Sequence, residues 1–304
     1  MKKTIALFLQ LLILFSLCAS AHGDTVPPAI EQVVQEKTDI YSCSFDGVEH
    51  RFLLDFPADS AGAPLVLMLP GYGNTAEAFR SNVHFETEAN ALGYAVAYVT
   101  GAPDPNIPTS ALGWHSESDT DGNRDVEFLV ALADYLAATF SLDRSRVYAV
   151  GFSNGAFMAH RLAMDAGDVF AACVSVAGLM PESVWNTRRD KNEIGFFQIT
   201  GEKDSVIPKN SDGSAKYTKA PAIEDVMAYW AGSNGLNRRE SFSIGTASVL
   251  TKYSSDEKPQ QVWDLFIHGG HHSWPSEKYN QIDTNVLILE FFEAQSENTF
   301  RSAP

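Results

Sequence analysis

The chain has 304 residues, of which 45% are hydrophobic and 20% charged, a composition typical of a globular protein rather than of a disordered or fibrous one. Its 38 acidic residues outnumber its 22 basic ones, and the net charge of -16 disfavours binding to nucleic acid or to an anionic membrane surface. Three cysteines in this length exclude a disulfide scaffold and a cysteine-based zinc module.

The first 21 residues have the pattern of an export signal. The basic pair Lys2-Lys3 precedes the largely apolar run Ile5–Leu17, and the small residues that a signal peptidase requires follow at 19–21. The run is shorter than the ~20 apolar residues that cross a bilayer, which disfavours a membrane anchor. We therefore predict cleavage after Ala21 and a secreted or periplasmic protein.

The remaining chain is predicted to form one folded domain. Residues 22–38 are a polar leader, residues 39–296 contain no repeat, low-complexity tract or long linker that would divide them, and residues 297–304 are a short tail. Cys43 and Cys173 remain after cleavage. They either pair in an oxidising compartment or fill small apolar sites, and their spacing does not decide between the two.

The predicted elements begin with a hairpin. Asp39–Ser44 and Glu49–Phe56 flank the dipeptide Asp46-Gly47, which favours a tight two-residue turn. Five short runs farther along the chain are apolar on both faces, as in the buried strands of a parallel sheet, and a last strand follows them. The five runs and the last strand are Pro64–Leu69, Tyr94–Val99, Arg146–Val150, Ala172–Val176, Gly195–Thr200 and Val262–Ile267.

Helical patterns separate these strands. In Asp125–Phe140 the apolar residues recur every three or four positions and form one buried stripe. Strands and helices alternate to the end of the chain, which predicts an α/β fold with a doubly wound, mostly parallel sheet and helices on both faces. The long loop Thr100–Asp121 follows a strand, where open α/β sheets place ligands. The other predicted elements are the helices Asn154–Ala166, Ala222–Gly232 and Ser276–Ala294 and a hairpin over Ser241–Tyr253.

The motif with the clearest chemical meaning is the G-x-S-x-G pentapeptide at 151–155 (GFSNG). It lies between the predicted strand that ends at Val150 and the predicted helix that begins at Asn154. A serine on such a tight turn is held in strained backbone geometry, and flanking glycines remove Cβ atoms that would clash. We therefore predict that Ser153 is a nucleophile. The alternative is an ordinary serine in a glycine-rich turn.

A serine nucleophile needs a histidine base and a carboxylate that orients this base. In a doubly wound fold of this kind they follow in the order Ser, acid, His, each just after a strand. The predicted acid is Asp204, which follows the strand ending at Thr200. Glu202 is a rival in the same loop, and Asp212 is a more remote one.

The segment 268–275 (HGGHHSWP), which follows the last strand, contains the predicted base. His271 and His272 are adjacent, and the residues alone do not choose between them. Three histidines in this segment could also suggest a metal site, but no cysteine is near and two glycines leave the geometry loose. We predict no metal ion.

A glycine-rich turn, 70–74 (PGYGN), follows the first buried strand. Such a turn commonly supplies one backbone N–H group to an oxyanion hole, and the residue after the nucleophile supplies the other. We therefore predict that the main-chain N–H groups of Tyr72 and Asn154 stabilise an oxyanion. A plain turn would use the same glycines.

The chain resembles the esterase family that groups poly(3-hydroxybutyrate) depolymerase-like proteins with the feruloyl and acetylxylan esterases of carbohydrate esterase family one. The likeness runs from about Glu49 to Phe292. Several motifs carry it, and together they are far more specific than the pentapeptide. They are PLV at 64–66 leading into Gly71, RDVEFL at 124–129, RVYAVGFSNGAFM at 146–158, FAA at 170–172 leading to VAG at 176–178, TGEKD at 200–204 and GGHHSWP at 269–275.

This resemblance implies an α/β-hydrolase fold without a large lid domain and a serine esterase that needs no cofactor. It also implies that His272 is the base, because the family's histidine directly precedes the Ser or Thr of a Gly-His-Ser/Thr-Trp-Pro pattern, and Ser273 follows His272. Two positions depart from the family. His271 replaces the usual glycine, and Pro70 replaces a histidine that relatives usually carry.

Aromatic residues near the predicted site suggest how a substrate is held. Trp114 and His115 lie in the long loop and Trp274 follows the predicted base, so these side chains either stack on a sugar or phenolic acyl group or pack the loop. The resemblance implies polysaccharide-linked substrates, namely feruloyl or acetyl esters of plant xylan, with a short-chain polyhydroxyalkanoate as the alternative. A secreted binding protein without activity is a third hypothesis, which the intact Ser, Asp and His disfavour.

Overall fold

The structure, a computed structural model, describes residues 29–103, 111–117, 124–208 and 220–295. The predicted export signal and tail, parts of the loop 100–121 and the rival carboxylate Asp212 lie outside these residues. No helix within the described ranges is both long and apolar enough to cross a membrane.

One sheet of eleven strands runs through the described part of the chain. In chain order the strands are β1 (Glu31–Gln35), β2 (Ile40–Phe45), β3 (Val48–Asp55), β4 (Leu65–Leu69), β5 (Ala95–Thr100), β6 (Val147–Phe152), β7 (Ala172–Val176), β8 (Gly195–Gly201), β9 (Arg238–Ile244), β10 (Ser248–Ser254) and β11 (Val262–Ile267). Their order across the sheet is β1-β2-β3-β5-β4-β6-β7-β8-β11-β10-β9.

The centre and the margins of this sheet are paired differently. The six strands from β5 to β11 in the sheet order pair in parallel, as predicted. The margins, β1 to β3 on one side and β10 and β9 on the other, are antiparallel, so the sheet is parallel only in its centre. The short connections that join β2 to β3 and β9 to β10 permit only antiparallel pairing, whereas parallel neighbours need a crossover.

Helices cover both faces of the sheet and bury two hydrophobic layers. Phe128, Met158 and Trp230 pack in one layer, and Phe79 and Phe291 pack in the other. Burying each such side chain stabilises the fold by roughly 1.5–3 kcal/mol. The helices are α1 (Ala76–Val83), α2 (Phe85–Ala91), α3 (Asp125–Phe140), α4 (Asn154–Asp165), α5 (Glu182–Asn186), α6 (Ile223–Ser233), α7 (Glu277–Asn280) and α8 (Thr284–Ala294).

The structure differs from the predicted elements at both ends of the described chain. The predicted polar leader contains β1, which adds an edge strand to β2. The single helix predicted over Ser276–Ala294 is two helices, because Gln281 adopts a φ of +55° and the Asp283 side chain accepts a hydrogen bond from the Val286 N–H to begin α8. The helices α1, α2 and α5 were not predicted. Cys43 and Cys173 are both buried and unpaired with each other.

The parallel centre explains how distant residues meet. The strands β6, β8 and β11 all end at the same edge of the sheet, because they belong to its parallel part. Ser153 directly follows β6, Asp204 follows β8 and His272 follows β11. This edge therefore gathers the three side chains that the sequence singles out.

Candidate active site

Ser153 lies on a strained turn between β6 and α4. Its φ of +54° is in the left-handed region that residues other than glycine rarely adopt. A Cβ atom on Gly151 would lie 1.9 Å from the carbonyl oxygen of Gly155, and a Cβ on Gly155 would lie 2.1 Å from the carbonyl oxygen of Leu69. Both glycines are therefore sterically required, which gives the physical reason for the pentapeptide.

The imidazole of His272 joins Ser153 to Asp204. Its Nε2 lies 3.0 Å from Ser153 Oγ, and its Nδ1 lies 2.8 Å from Asp204 Oδ2. The Asp204 side chain is 1% exposed, and its Oδ1 accepts hydrogen bonds from the backbone N–H groups of Val206 (2.9 Å) and Ile207 (2.7 Å). These donors satisfy one carboxylate oxygen and leave the other directed at the imidazole.

Glu202, the rival acid, instead contacts the first residues of the segment 268–275, which we call the histidine loop. Its Oε2 accepts a hydrogen bond from the Gly269 N–H at 2.9 Å and lies 3.6 Å from His268 Nδ1. The Gly269 amide holds the pKa of this exposed carboxyl below its usual range. His271 is exposed, whereas the half-buried His272 faces the serine. Within the described residues, no three His, Cys, Asp or Glu side chains are grouped closely enough to hold a metal ion.

Two backbone segments meet at Ser153 where an oxyanion would lie. Asn154 is the first residue of α4, so its N–H group has no acceptor within the helix and lies at the positive end of the helix dipole. The turn after β4 approaches from the other side, and a Cβ on Gly71 would lie 3.2 Å from Ser153 Cβ. Tyr72 is the next residue of that turn, and half of it is exposed. The oxyanion role of both N–H groups stays a prediction.

The side chain of Asn154 ties the loop after β5 to the nucleophile turn, a contact that the sequence did not indicate. Its Oδ1 accepts from the Trp114 N–H at 2.7 Å, and its Nδ2 donates to the Trp114 carbonyl at 3.0 Å. The indole Nε1 of Trp114 donates in turn to the Pro70 carbonyl at 3.1 Å. We call these three hydrogen bonds the Trp114 latch. The latch connects the two turns that carry Asn154 and Tyr72.

The predicted aromatic contacts of Trp114 and His115 with substrate are not favoured by their surroundings. The Trp114 side chain is buried in the core, with 5% exposed. The His115 ring binds Asp125 Oδ2 through Nδ1 at 3.2 Å, and the His115 carbonyl accepts from Arg161 at 2.7 Å. Arg161, which the sequence did not indicate, also donates to the Glu117 carbonyl at 2.8 Å. These residues fasten the loop, and a role in substrate binding stays a prediction.

Trp274 lies beside the histidine and is only partly buried. Its indole Nε1 donates to Asn285 Oδ1 at 3.1 Å, and its ring packs edge-on against Phe79, with 5.6 Å between ring centres. The Phe152 ring is near both aromatic rings, with its centre 5.2 Å from that of His272 and 6.4 Å from that of Trp274. Trp274 is therefore held rigidly next to the base.

Comparison with known proteins identifies the family. Residues 51–186 match the sequence model of the protein family "Esterase PHB depolymerase". The chain is 31% identical over 241 residues to NocK of Nocardia uniformis subsp. tsuyamanensis, an alignment that covers 72% of this chain and 67% of NocK.

Two further relatives are named for enzyme activities. The chain is 33% identical to poly(3-hydroxyalkanoate) depolymerase C of Paucimonas lemoignei over 71% of its own length, and 31% identical to feruloyl esterase B of Talaromyces funiculosus over 68%. It spans 56% and 55% of the lengths of these two relatives.

The fold has solved counterparts. An acetyl xylan esterase from Aspergillus awamori superposes with a TM-score of 0.60 at 14% identity, covering 81% of this chain and 94% of the other. This similarity confirms the predicted α/β-hydrolase fold. The alignment with NocK and the match to the family model place the chain in the esterase PHB depolymerase family, and the protein is a carboxylic ester hydrolase.

Proposed function

We propose that the protein is a serine esterase in which Ser153, His272 and Asp204 form the catalytic triad. The observation that carries this proposal is the continuous path Ser153 Oγ–His272 Nε2–His272 Nδ1–Asp204 Oδ2, with contacts of 3.0 and 2.8 Å. Both distances are within hydrogen-bond reach, so His272 can take the proton of Ser153 while Asp204 orients the imidazole. The strained turn under Ser153 presents its hydroxyl at the edge of the sheet.

The reaction has two steps. His272 Nε2 accepts the proton of Ser153 as Oγ attacks the ester carbonyl, and the same nitrogen then returns the proton to the departing alcohol. In the second step His272 removes a proton from water as the water attacks the acyl-enzyme. The bond between Ser153 Oγ and the acyl carbon then breaks, the acid is released, and His272 returns the proton to Ser153 Oγ. Asp204 Oδ2 accepts a hydrogen bond from the Nδ1–H group throughout, which fixes the tautomer and stabilises the imidazolium.

The carbonyl oxygen becomes an oxyanion in each step. The backbone N–H groups of Asn154 and Tyr72 are the proposed donors, because they lie on the two turns that meet at Ser153. The N-terminal dipole of α4 adds to the stabilisation. No part of this mechanism uses a cofactor or a metal ion.

We further propose that the substrate is a feruloyl or acetyl ester of plant cell-wall xylan. The similarity to feruloyl esterase B supports this assignment, and the acidic charge suits a neutral polysaccharide. A short-chain polyhydroxyalkanoate is the second candidate, because the chain is 33% identical to depolymerase C over 235 residues.

The test is hydrolysis of p-nitrophenyl acetate by the wild type and by Ser153→Ala. We expect wild-type turnover and a loss of at least about 10⁴-fold in the variant. Equal background rates in both proteins would instead favour an inactive binding protein. Release of ferulate or acetate from xylan, measured beside release of hydroxybutyrate from polyester, then separates the two substrate classes.

We also propose that the protein is exported by its N-terminal signal. Mass spectrometry of the protein recovered from the medium or periplasm should give His22 as the first residue. An intact N-terminus on protein in the cytoplasm would contradict this proposal.

A further inference from the structure

An open groove borders the loop that carries His272. It has a volume of about 770 Å³ and lies between the segment 269–285 and the corner where α1 meets α2, near His84. All of its lining residues belong to the described chain, and most of their side chains are polar. The nucleophile does not line this groove, so it is a neighbour of the catalytic centre rather than a part of it.

The position of the groove indicates which part of an ester substrate it would hold. His271 and Ser273, which flank His272 in the loop, both line it. In the proposed mechanism His272 protonates the leaving oxygen, so the alcohol part of the ester must lie on the imidazole side of the site. A groove whose wall begins one residue from the base is therefore placed to receive the alcohol rather than the acyl group.

The floor of the groove is organised in advance by hydrogen bonds. Trp274 is held by Asn285 Oδ1 at 3.1 Å. The Asn285 amide donates to the Val83 carbonyl at 2.9 Å and to Glu88 Oε2 at 3.2 Å. These contacts connect the histidine loop to α2 and α8, so the floor requires little ordering when a ligand binds.

Tyr279 supplies an aromatic surface at the rim. It lies in the short helix α7, is 76% exposed and has the largest exposed fraction among the large hydrophobic side chains of the described residues. The Lys278 Nζ lies 5.0 Å from its ring centre, and the exposed fraction leaves ample ring surface for a ligand. Carboxylates of Glu88, Glu277 and Asp283 line the same groove, and they repel anions while accepting hydrogen bonds from hydroxyl groups.

We propose that this groove binds the neutral oligosaccharide that forms the alcohol part of the substrate, with Tyr279 as its stacking surface. The inference rests on the proposed function and narrows it. A sugar offers hydroxyl groups to the carboxylates and amides and a flat apolar face to an aromatic ring. A polyhydroxyalkanoate chain lacks such hydroxyl donors, so it would donate no hydrogen bonds to the carboxylates of the lining.

The first test measures binding without catalysis. Xylotriose is titrated by calorimetry into Ser153→Ala and into the double variant Ser153→Ala/Tyr279→Ala. We expect saturable binding to the first protein and an affinity weaker by about fivefold or more in the second. The double variant Ser153→Ala/Phe242→Ala is the matched control, since Phe242 is an exposed aromatic residue on β9 outside the groove, and its affinity should equal that of Ser153→Ala.

The second test measures specificity. In an otherwise wild-type chain, Tyr279→Ala should lower the ratio of kcat/KM for an acetylated xylotriose to kcat/KM for p-nitrophenyl acetate by about fivefold or more. An unchanged ratio, equal xylotriose affinity with and without Tyr279, or tighter binding of a hydroxybutyrate trimer would overturn the inference.

The two proposals fail in different ways. If p-nitrophenyl acetate is hydrolysed only with Ser153 intact but xylotriose does not bind, the groove assignment is wrong and the serine esterase stands. If Ser153→Ala retains wild-type hydrolysis, the triad is wrong, and the binding titration still decides the groove.

Discussion

At the scale of single residues, the turn around Ser153 leaves no room for added side chains. The positive φ of Ser153 and the close approach of Gly151 and Gly155 to backbone carbonyls are parts of one geometry. Strain of this kind costs on the order of 1–3 kcal/mol and is retained where the surrounding structure and function require it. Substitutions here therefore test the fold and the site together.

Gly155→Ala should destabilise the protein. The new Cβ would meet the Leu69 carbonyl oxygen at 2.1 Å, so β4 and α4 must separate, at a cost of about 3 kcal/mol. Thermal unfolding followed by circular dichroism measures the effect. Gly232→Ala is the control, because nothing lies within 4 Å of a Cβ at that position of α6, and alanine should raise stability by about 0.5–1 kcal/mol. Equal melting temperatures for both variants would contradict the predicted crowding.

The two adjacent histidines should differ sharply. His272→Ala removes the base, and we expect kcat for p-nitrophenyl acetate to fall by about 10⁴-fold or more. The loss in His271→Ala should be smaller by at least about 100-fold, since its exposed side chain does not face Ser153. Comparable losses in the two variants would show that the base has been assigned to the wrong position.

At the scale of elements, the loop after β5 joins the two turns on which the proposed oxyanion donors lie. The Trp114 latch holds this loop to Asn154 on one side and to Pro70 on the other. Arg161 on α4 fastens the same loop by donating to the carbonyls of His115 and Glu117. Sites on loops are less precise than sites on helices or strands unless packing and hydrogen bonds restrain them, and these contacts supply such restraints.

Trp114→Phe should lower kcat through the latch. Phenylalanine fills most of the buried space but cannot donate to the Pro70 carbonyl, so the turn that carries Tyr72 loses one restraint. We expect kcat to fall by about tenfold, because misplaced oxyanion donors stabilise the transition state less. Steady-state kinetics with p-nitrophenyl acetate and a melting curve measure activity and stability separately.

Trp263→Phe is the matched control for this experiment. Trp263 is also buried and also donates through its indole Nε1, to Gln261 Oε1 at 2.8 Å, but it lies on β11 at the end remote from His272. Loss of this hydrogen bond should lower the free energy of unfolding by about 1 kcal/mol, as in Trp114→Phe, while kcat stays at the wild-type value. A fall in kcat in both variants would indicate that lower stability, rather than loss of the Trp114 latch, reduces activity.

At the scale of the whole molecule, buried histidines couple stability to pH. His50 is stacked on Phe128, with 3.6 Å between ring centres, and its burial lowers its pKa to about 4. Burial likewise lowers the pKa of His160 to about 3. In the unfolded chain both titrate near 6.5, so between these values the unfolded state binds more protons. The contribution of these two histidines to stability therefore falls as the pH decreases from about 6.5 toward 4.

His50→Phe should flatten this acid dependence. Each such histidine contributes a slope of about 1.4 kcal/mol per pH unit between its folded and unfolded pKa values, and the variant should lose one such contribution between pH 5 and 6. Urea unfolding at several pH values measures the free energy of unfolding. Phe128→Leu keeps the imidazole and should lower the whole curve without changing its slope. Parallel curves for the wild type and His50→Phe would contradict the prediction.

Much of this architecture is determined locally. The apolar runs predicted the central strands within one or two residues at their ends, because burial on both faces leaves a continuous apolar signature. The break before α8 was missed, since it depends on a left-handed Gln281 and on the cap from Asp283. The edge strand β1 was also missed, because its residues are mostly exposed and it is formed by pairing with β2.

By itself, the sequence determined the parallel centre of the sheet and the serine turn, because periodicity and steric exclusion act between neighbours in the chain. It also nominated an acid in the loop after β8 and a base in the loop after β11, but it left Glu202 beside Asp204, and the residues alone did not separate His271 from His272. Only the tertiary structure decided which side chains meet, since the serine and the histidine that contacts it are 119 positions apart and that histidine and its carboxylate 68. The Trp114 latch and the groove at Tyr279 were decided in the same way, by contacts through space that no local pattern records.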